Sequence, residues 1–204
     1  MDQPLLVALD LESVLVPEFW PAIAAATGVG ALQRTTRDEP AYDRLMAERL
    51  AVLRDHRLSL RTVQAILAAL APLPGAPAFL DWLRDRATVV ILSDTFYEFA
   101  APLMMHLGRP ALLCHTIVVD ADGMITGWRQ RCPDGKAAAV RAFRNLGFTT
   151  AAVADSHNDL GMLHAADCGF FFRPPAALAA AHPGYPVCTS YAELQQRLTG
   201  LIST

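Results

Sequence analysis

The chain has 204 residues, of which 53% are hydrophobic, and its 20 acidic and 17 basic residues give a formal net charge of -3. Neither sign of charge is clustered, so the sequence lacks the basic surface typical of proteins that bind nucleic acids or anionic membranes. Charged residues also interrupt every apolar run well before the roughly 20 residues that a membrane-spanning helix needs. We therefore expect one folded domain with room for an inserted subdomain, and a small-molecule partner rather than nucleic acid or a membrane.

The N-terminal residues and the cysteines indicate a cytoplasmic protein. The chain leads directly into a strand pattern, without the basic start and small-residue cleavage site of a signal peptide. The cysteines are widely spaced, include no Cys-x-x-Cys pair and form no pattern with histidine that is typical of a zinc site. We expect the four of them to be free thiols, most of them in the core: Cys114, Cys132, Cys168 and Cys188.

In chain order, short apolar runs alternate with helical patterns. The predicted strands cover residues 5–9, 88–92, 150–154 and 169–172, and predicted helices cover residues 77–86, 99–107 and 136–146. The Asp122-Gly123 pair between two apolar runs predicts a β-hairpin. This alternation favours a three-layer α/β fold with a mostly parallel sheet and the hairpin on its edge.

One stretch breaks the alternation, because residues 20–70 have only helical periodicity. It begins just after two carboxylates, Asp10 and Glu12, that follow the first strand. Ligands of open α/β sheets bind outside the carboxyl ends of the strands, so helices inserted there are placed to cover a site. We predict a catalytic core of residues 1–18 and 72–204 and a helical cap of residues 19–71.

Polar side chains follow three of the predicted strands. Asp10 and Glu12 come after the first, Ser93 and Asp94 after the second, and Asp155, Asn158 and Asp159 after the third. Lys136 falls in the first turn of a predicted helix, where an unpaired cation opposes the helix dipole and favours an anion beside it. We predict that Asp10, Glu12 and Asp155 hold Mg²⁺, because a cation offsets their repulsion and Mg²⁺ prefers carboxylate and phosphate oxygens.

These groups suit phosphoryl transfer. With a metal bound, Asp10 can attack phosphorus as a nucleophile, since an aspartyl phosphate splits one difficult step into two. Glu12 can protonate the leaving oxygen and then take a proton from the incoming acceptor. Ser93, the backbone N–H of Asp94 and Lys136 can bind the nonbridging oxygens in the transition state, and the Asp94 side chain is then structural.

Four segments carry a family resemblance. The stretches "DLESVLVPE" and "ILSDTFYEF", the lysine at 136 and "DSHND" resemble, in the usual order, the four motifs of haloacid dehalogenase superfamily phosphatases. Glu at position 12 and the phrase "LSDTFYEF" are most similar to the bifunctional phosphoserine phosphatase/homoserine phosphotransferase subgroup. The resemblance implies a Rossmann-like core with a small helical cap, Mg²⁺ dependence, Asp10 as nucleophile, Glu12 as general acid/base and Asp155 as a metal ligand.

The same resemblance implies how an amino-acid substrate is recognised. Glu18 falls where the family binds the substrate amino group, and Arg49 falls where it binds the carboxylate. In the helix "YDRLMAERLAVLRDH", Arg49 lies within the apolar stripe, so we expect it to face inward. Asp94, through its backbone N–H, and Asn158 complete the expected substrate contacts. Asp159 is expected to contact the metal ligands without binding the metal itself.

Several alternatives stay open at this point. The acceptor of the phosphoryl group is water or homoserine, because Glu12 replaces the Asp usual in purely hydrolytic relatives. Ser13 stands where the subgroup usually has Gly, which leaves the local backbone conformation open. The alternative substrate is another small phosphomonoester, such as a sugar or nucleotide phosphate, and the alternative class is a phosphoacceptor signalling domain. The sequence also leaves open whether Mn²⁺ replaces Mg²⁺ and whether the chain forms a homodimer.

Overall fold

The computed structural model describes residues 3–35, 38–39 and 41–202. Its strands are β1 (Leu5–Leu9), β2 (Thr88–Phe96), β3 (Ala111–Val119), β4 (Ile125–Arg129), β5 (Thr149–Ala154), β6 (Cys168–Phe172) and β7 (Val187–Cys188). They form one seven-stranded sheet in the order β4-β3-β2-β1-β5-β6-β7. Neighbouring strands are parallel except for the antiparallel pair β3 and β4, so the predicted mostly parallel sheet with an edge hairpin is confirmed.

Helices flank this sheet. They are α1 (Phe19–Thr27), α2 (Tyr42–Asp55), α3 (Leu60–Ala68), α4 (Ala76–Arg84), α5 (Tyr97–Met104), α6 (Gly135–Asn145), α7 (Leu160–Ala165), α8 (Ala176–Ala181) and α9 (Tyr191–Thr199). Short 3₁₀ helices cover Gly30–Gln33 and His157–Asp159. Across the residues that the structure describes, no helix is both long and apolar enough to cross a membrane.

The sheet separates two hydrophobic cores, which explains why β1 is apolar at every position. Val7 and Leu9 face one core, together with Phe79 of α4. Leu6 and Ala8 face the other core with residues of α6 and α7. A strand buried on both faces reads as a continuous apolar run, and the three-layer α/β architecture follows from it. Two of the four free cysteines, Cys114 and Cys188, are buried, and the other two are half-buried.

The inserted helices α1–α3 lie between β1 and α4, where only helical periodicity was present in the sequence. The start of α3 is fixed to the edge hairpin, because the backbone N–H of Leu60 donates to the carbonyl of Gly123 at 3.0 Å. The side chain of Gln64 also donates to the carbonyl of Glu98 at 2.8 Å, which joins α3 to α5. The boundaries of the cap at residues 19 and 71 stay a prediction.

Candidate active site

The register of three neighbouring strands brings the predicted site residues to one edge of the sheet. Leu9, the last residue of β1, lies opposite Ile91 of β2 and Val153 of β5. The residues that follow these positions therefore emerge side by side, and the backbone N–H of Asp10 donates to the carbonyl of Val153 at 2.9 Å. This is the edge at which ligands bind in open parallel sheets.

Lys136 is the centre of a buried network of charges. It lies in the first turn of α6, and its ammonium group donates to Asp10 Oδ1 at 2.7 Å and to Asp159 Oδ1. Asp94 Oδ2 is 3.4 Å away. Burial alone lowers the pKa of Lys136, but the three carboxylates outweigh it and raise this pKa well above its usual value. The lysine predicted to be unpaired is thus paired within the protein, because the strand ends supply the anions beside it.

Three buried carboxylates form a cluster that suits a cation. Ligand oxygens of Asp10, Asp155 and Asp159 lie within 4.8 Å of one another. Burial and then the neighbouring charge of Asp159 raise the pKa of Asp10 well above its usual value and the pKa of Asp155 to about 7. Hard divalent cations prefer carboxylate oxygens and offset this repulsion, so the donor set fits Mg²⁺. Asp159, predicted to support the metal ligands without binding the metal, is itself a member of this carboxylate cluster.

Glu12 lies outside this cluster, although it belongs to the predicted ligand set. Because β1 ends at Leu9, the strand alternation that would place Asp10 and Glu12 on one face does not reach residue 12. Glu12 Oε2 instead accepts from the backbone N–H of Phe19 at 2.7 Å, at the start of α1. Burial raises the pKa of Glu12 to about 7. A carboxyl group with this pKa can both give and take a proton near neutral pH.

The turn after Asp10 has a backbone conformation that usually requires glycine. Ser13 has φ of 61°, in the left-handed region. Its backbone N–H donates to the carbonyl of Val16 at 2.8 Å and closes the turn. Its hydroxyl donates to Glu18 Oε1 at 3.2 Å. Ser13 therefore has a left-handed backbone of the kind glycine adopts easily, and its side chain adds a contact that orients the carboxylate predicted to bind an amino group.

Arg49 faces inward, as its position in the apolar stripe predicts, and is only 7% exposed. Its guanidinium lies over Trp20, 4.5 Å from the ring centroid, and Nη2 donates to the carbonyl of Arg34 at 2.8 Å. Its Nε is buried and has no hydrogen-bond partner among the described residues. Burial lowers the pKa of Arg49 to about 10, so the group stays charged at neutral pH. A buried cation with an unused donor suits an anionic ligand.

The end of β2 is irregular where Ser93 and Asp94 lie. The pairing of β2 with β3 shifts register between Leu92 and Phe96. The Asp94 carboxylate, predicted to be structural, accepts from Asn158 Nδ2 at 3.2 Å and lies at the cavity wall. Burial opposes its ionisation, but the charge of Lys136 and the Asn158 hydrogen bond together lower the pKa of Asp94. Asp94 therefore contributes a carboxylate to the cavity wall in addition to its place near the end of β2.

Nine of the ten predicted site residues line one cavity of about 140 Å³. The tenth, Asp159, is fully buried and reaches the site through its hydrogen bond to Lys136. The nine are Asp10, Glu12, Glu18, Arg49, Ser93, Asp94, Lys136, Asp155 and Asn158. This small, charged cavity can hold an anion between the buried Asp10 carboxylate and Arg49, with the carboxyl group of Glu12 on its wall.

Comparison with known proteins identifies the family. A model of haloacid dehalogenase-like hydrolases matches residues 6–164. The chain belongs to the haloacid dehalogenase-like hydrolase family. The predicted family is thereby confirmed, and the protein is a hydrolase of this family.

Two curated relatives of this hydrolase match over most of their length. Phosphoserine phosphatase ThrH of Pseudomonas aeruginosa is 47% identical over 191 residues, which cover 94% of this chain and 93% of the relative. Phosphoserine phosphatase of Pseudomonas syringae pv. tomato is 46% identical over 191 residues, which cover 94% of this chain and 81% of the relative.

Solved structures share the fold of the hydrolase. A phospho-aspartyl intermediate analogue of phosphoserine phosphatase superposes with a TM-score of 0.76 at 21% identity, and the match covers 92% of this chain and 93% of the other. Phosphoserine phosphatase from T. onnurineus gives a TM-score of 0.72 at 23% identity and covers 95% of both chains. At these identities the likeness establishes the fold, and the roles of individual residues stay predictions.

Two aromatic residues of the cavity were not predicted from the sequence of this hydrolase. Tyr42 and Trp20 both line the cavity with Arg49. Tyr42 lies seven residues before Arg49, which is two helical turns, so the shared face of α2 was a usable signal. Trp20 carries no such signal, because an aromatic residue at the start of an apolar helix reads as part of the core.

Proposed function

We propose that this hydrolase is a Mg²⁺-dependent phosphoserine phosphatase that forms a phosphoaspartyl intermediate on Asp10 and passes the phosphoryl group to water or homoserine. One observation carries the proposal: a single small cavity combines the Asp10 and Lys136 pair with a buried arginine and the Glu18 carboxylate. These groups complement the phosphate, carboxylate and ammonium groups of O-phospho-L-serine. Relatives at 47% and 46% identity are named phosphoserine phosphatases.

In the first step, a carboxylate oxygen of Asp10 attacks phosphorus, and the bond between phosphorus and the serine oxygen breaks. Glu12 gives its proton to that oxygen, so serine leaves as a neutral alcohol. With a pKa of about 7, Glu12 is protonated in a substantial share of molecules at neutral pH. Lys136 holds Asp10 in place through its 2.7 Å hydrogen bond and supplies positive charge beside the phosphoryl group.

In the second step, Glu12 takes a proton from the incoming water or homoserine hydroxyl. The acceptor oxygen bonds to phosphorus as the bond to Asp10 breaks, which restores the free Asp10 carboxylate and protonated Glu12. The Ser93 hydroxyl and the backbone N–H of Asp94 bind the nonbridging oxygens in both steps. Asp10, Asp155 and Asp159 would hold Mg²⁺, which when bound supplies further positive charge to the phosphoryl oxygens.

Arg49 and Glu18 are the basis for proposing an amino-acid substrate. Arg49 is a buried cation on the cavity wall, and a substrate carboxylate would complement its charge. Glu18, whose Oε1 accepts from the Ser13 hydroxyl, would accept from a substrate ammonium group. A sugar phosphate offers neither a carboxylate nor an ammonium group, so it would leave both residues without a ligand. This difference favours phosphoserine over other small phosphomonoesters.

A second cavity supports access for an acceptor larger than water. Its volume is about 1020 Å³, and it shares five lining residues with the smaller cavity: Tyr42, Asp94, Lys136, Ser156 and Asn158. An alcohol such as homoserine therefore has space beside the reacting groups. Water remains the alternative acceptor, and the two are distinguished by experiment.

The test follows phosphate released from O-phospho-L-serine with Mg²⁺, with and without homoserine, while O-phosphohomoserine is assayed in the same samples. We expect phosphate release to fall as O-phosphohomoserine appears, because water and homoserine compete for one phosphoenzyme. If homoserine left phosphate release unchanged, the protein would be a phosphatase without phosphotransferase activity. Cleavage of para-nitrophenyl phosphate without any turnover of phosphoserine would refute the substrate and leave a phosphatase of another specificity.

A further inference from the structure

Tyr42 makes a contact between the inserted helices and the catalytic edge of the sheet. It is the first residue of α2, and its hydroxyl donates to the backbone carbonyl of Asp94 at 2.7 Å. Its ring packs edge-on against Trp128 of β4, with ring centroids 5.3 Å apart. The ring is therefore fixed by packing, and the hydroxyl is fixed by a hydrogen bond to the strand end that carries Ser93.

The bonded carbonyl belongs to a peptide unit that also orients Ser93. The C=O of Asp94 and the N–H of Thr95 are two ends of the same planar peptide. That N–H donates to Ser93 Oγ at 3.3 Å. A rotation of this peptide would therefore break the bond to Tyr42 and the bond to Ser93 together. Tyr42 thus constrains the hydroxyl proposed to bind a nonbridging phosphoryl oxygen.

Tyr42 also lies on the helix that carries Arg49. Seven residues separate them, which is about two turns and about 10.5 Å along the helix axis, so both side chains lie on the same face. The N-cap residue of α2, Ala41, makes no side-chain capping hydrogen bond. The hydroxyl of Tyr42 therefore fixes the first turn of this helix to the core through its side chain.

We propose that Tyr42 is a positioning residue that sets Arg49 and the Ser93 peptide at a fixed separation. The proposal rests on the proposed function, in which Arg49 binds the carboxylate and Ser93 the phosphoryl group of one substrate. A fixed separation matters because both contacts must form at once for phosphoserine to reach a productive geometry. A phosphomonoester without a carboxylate makes the contact with Ser93 but none with Arg49.

The variant that tests this role is Tyr42→Phe, since it removes the hydroxyl and keeps the ring that lines both cavities. The matched control is Tyr97→Phe. Tyr97 also donates its hydroxyl to a backbone carbonyl, that of Leu112 at 3.2 Å, but it is exposed and lines neither cavity. Each is made in the wild-type and Arg49→Ala backgrounds and assayed on phosphoserine and on para-nitrophenyl phosphate.

We expect Tyr42→Phe to lower kcat/KM for phosphoserine by about tenfold, mainly through KM, and for the aryl phosphate by about threefold at most. In the Arg49→Ala background, its effect on phosphoserine should shrink to its effect on the aryl phosphate, because Arg49 is no longer there to be positioned. Tyr97→Phe should change neither substrate in either background.

Three results would overturn the proposal. The first is an effect on phosphoserine that is as large in the Arg49→Ala background as in the wild type. The second is an effect no larger than that of Tyr97→Phe. The third is loss of the folded state by Tyr42→Phe, seen by circular dichroism, which would make the hydroxyl structural. Failure of the proposed function itself is visible earlier, since the wild-type protein would then not turn over phosphoserine.

Discussion

The Asp10 carboxylate is held by Lys136 and lies beside the carboxylates of Asp155 and Asp159. We expect Asp10→Asn to reduce phosphate release by about 10⁴- to 10⁶-fold, because an amide cannot form the acyl phosphate. The fold should persist, since the substitution keeps the size of the side chain and removes one of three buried like charges. Steady-state kinetics and thermal unfolding of the same preparation measure both effects.

The matched control for this substitution is Asp85→Asn. Asp85 is an exposed carboxylate that follows α4, and its partner Arg86 is 4.0 Å away. It should leave both the turnover and the midpoint of unfolding unchanged. Full activity in Asp10→Asn would remove Asp10 from the role of nucleophile and end the phosphoaspartyl mechanism.

At the residue scale, the sequence predicts the site well where a residue directly follows a strand. Asp10 directly follows β1 and Asp155 directly follows β5, the strand paired with it, whereas Ser93 lies inside β2, two residues after the position opposite the end of β1. Glu12, predicted to be a metal ligand, accepts from the backbone N–H of Phe19, whereas Asp159, predicted to support the ligands, lies within the carboxylate cluster, because each position depends on a turn rather than on a strand. The left-handed turn at Ser13 and the 3₁₀ helix His157–Asp159 decide where these two side chains go, and periodicity carries no information about either.

At the scale of an element, α2 presents Arg49 to the cavity. We expect Arg49→Ala to raise KM for phosphoserine and lower kcat/KM by about 10- to 100-fold, because it removes a charge-assisted contact to the substrate carboxylate. Para-nitrophenyl phosphate has no carboxylate, so its kcat/KM should be nearly unchanged. Parallel kinetics on the two substrates measure the difference.

Arg44 supplies the control on the same helix. It is exposed and forms ion pairs with Glu39, which precedes α2, and with Glu48 of the same helix. Arg44→Ala should leave the kinetics of both substrates unchanged, since exposed ion pairs contribute little. If Arg49→Ala lowered kcat/KM equally for both substrates, Arg49 would maintain the shape of the cavity and would not bind the substrate carboxylate.

The helices and strands were predictable where burial of one face or both gives the sequence a regular hydrophobic pattern. All four predicted strands and the three predicted helices are present, with ends that differ by a few residues. β2 continues to Phe96 beyond its predicted end, through a segment in which its pairing with β3 shifts register between Leu92 and Phe96. β7 has only two residues, which is too short for any alternation to register in the sequence.

At the scale of the whole molecule, the acid cluster joins parts of the chain that are far apart in sequence. Asp10 follows β1, whereas Asp155 and Asp159 follow β5, the strand paired with it. The folded chain therefore brings three carboxylates together out of water, and their repulsion opposes folding. Only the complete fold presents this donor set, so a bound cation stabilises the folded state relative to the unfolded one.

We therefore expect Mg²⁺ at about 100 times its dissociation constant to raise the midpoint of thermal unfolding by about 5–10 °C relative to protein in EDTA. Asp155→Asn should abolish most of this rise, because it removes one ligand, whereas Asp85→Asn should keep it. In EDTA, Asp155→Asn should unfold no earlier than the wild type, since it relieves repulsion within the cluster. A rise of equal size in Asp155→Asn would place the cation elsewhere, and no rise in the wild type would mean that the cluster is stable without a metal.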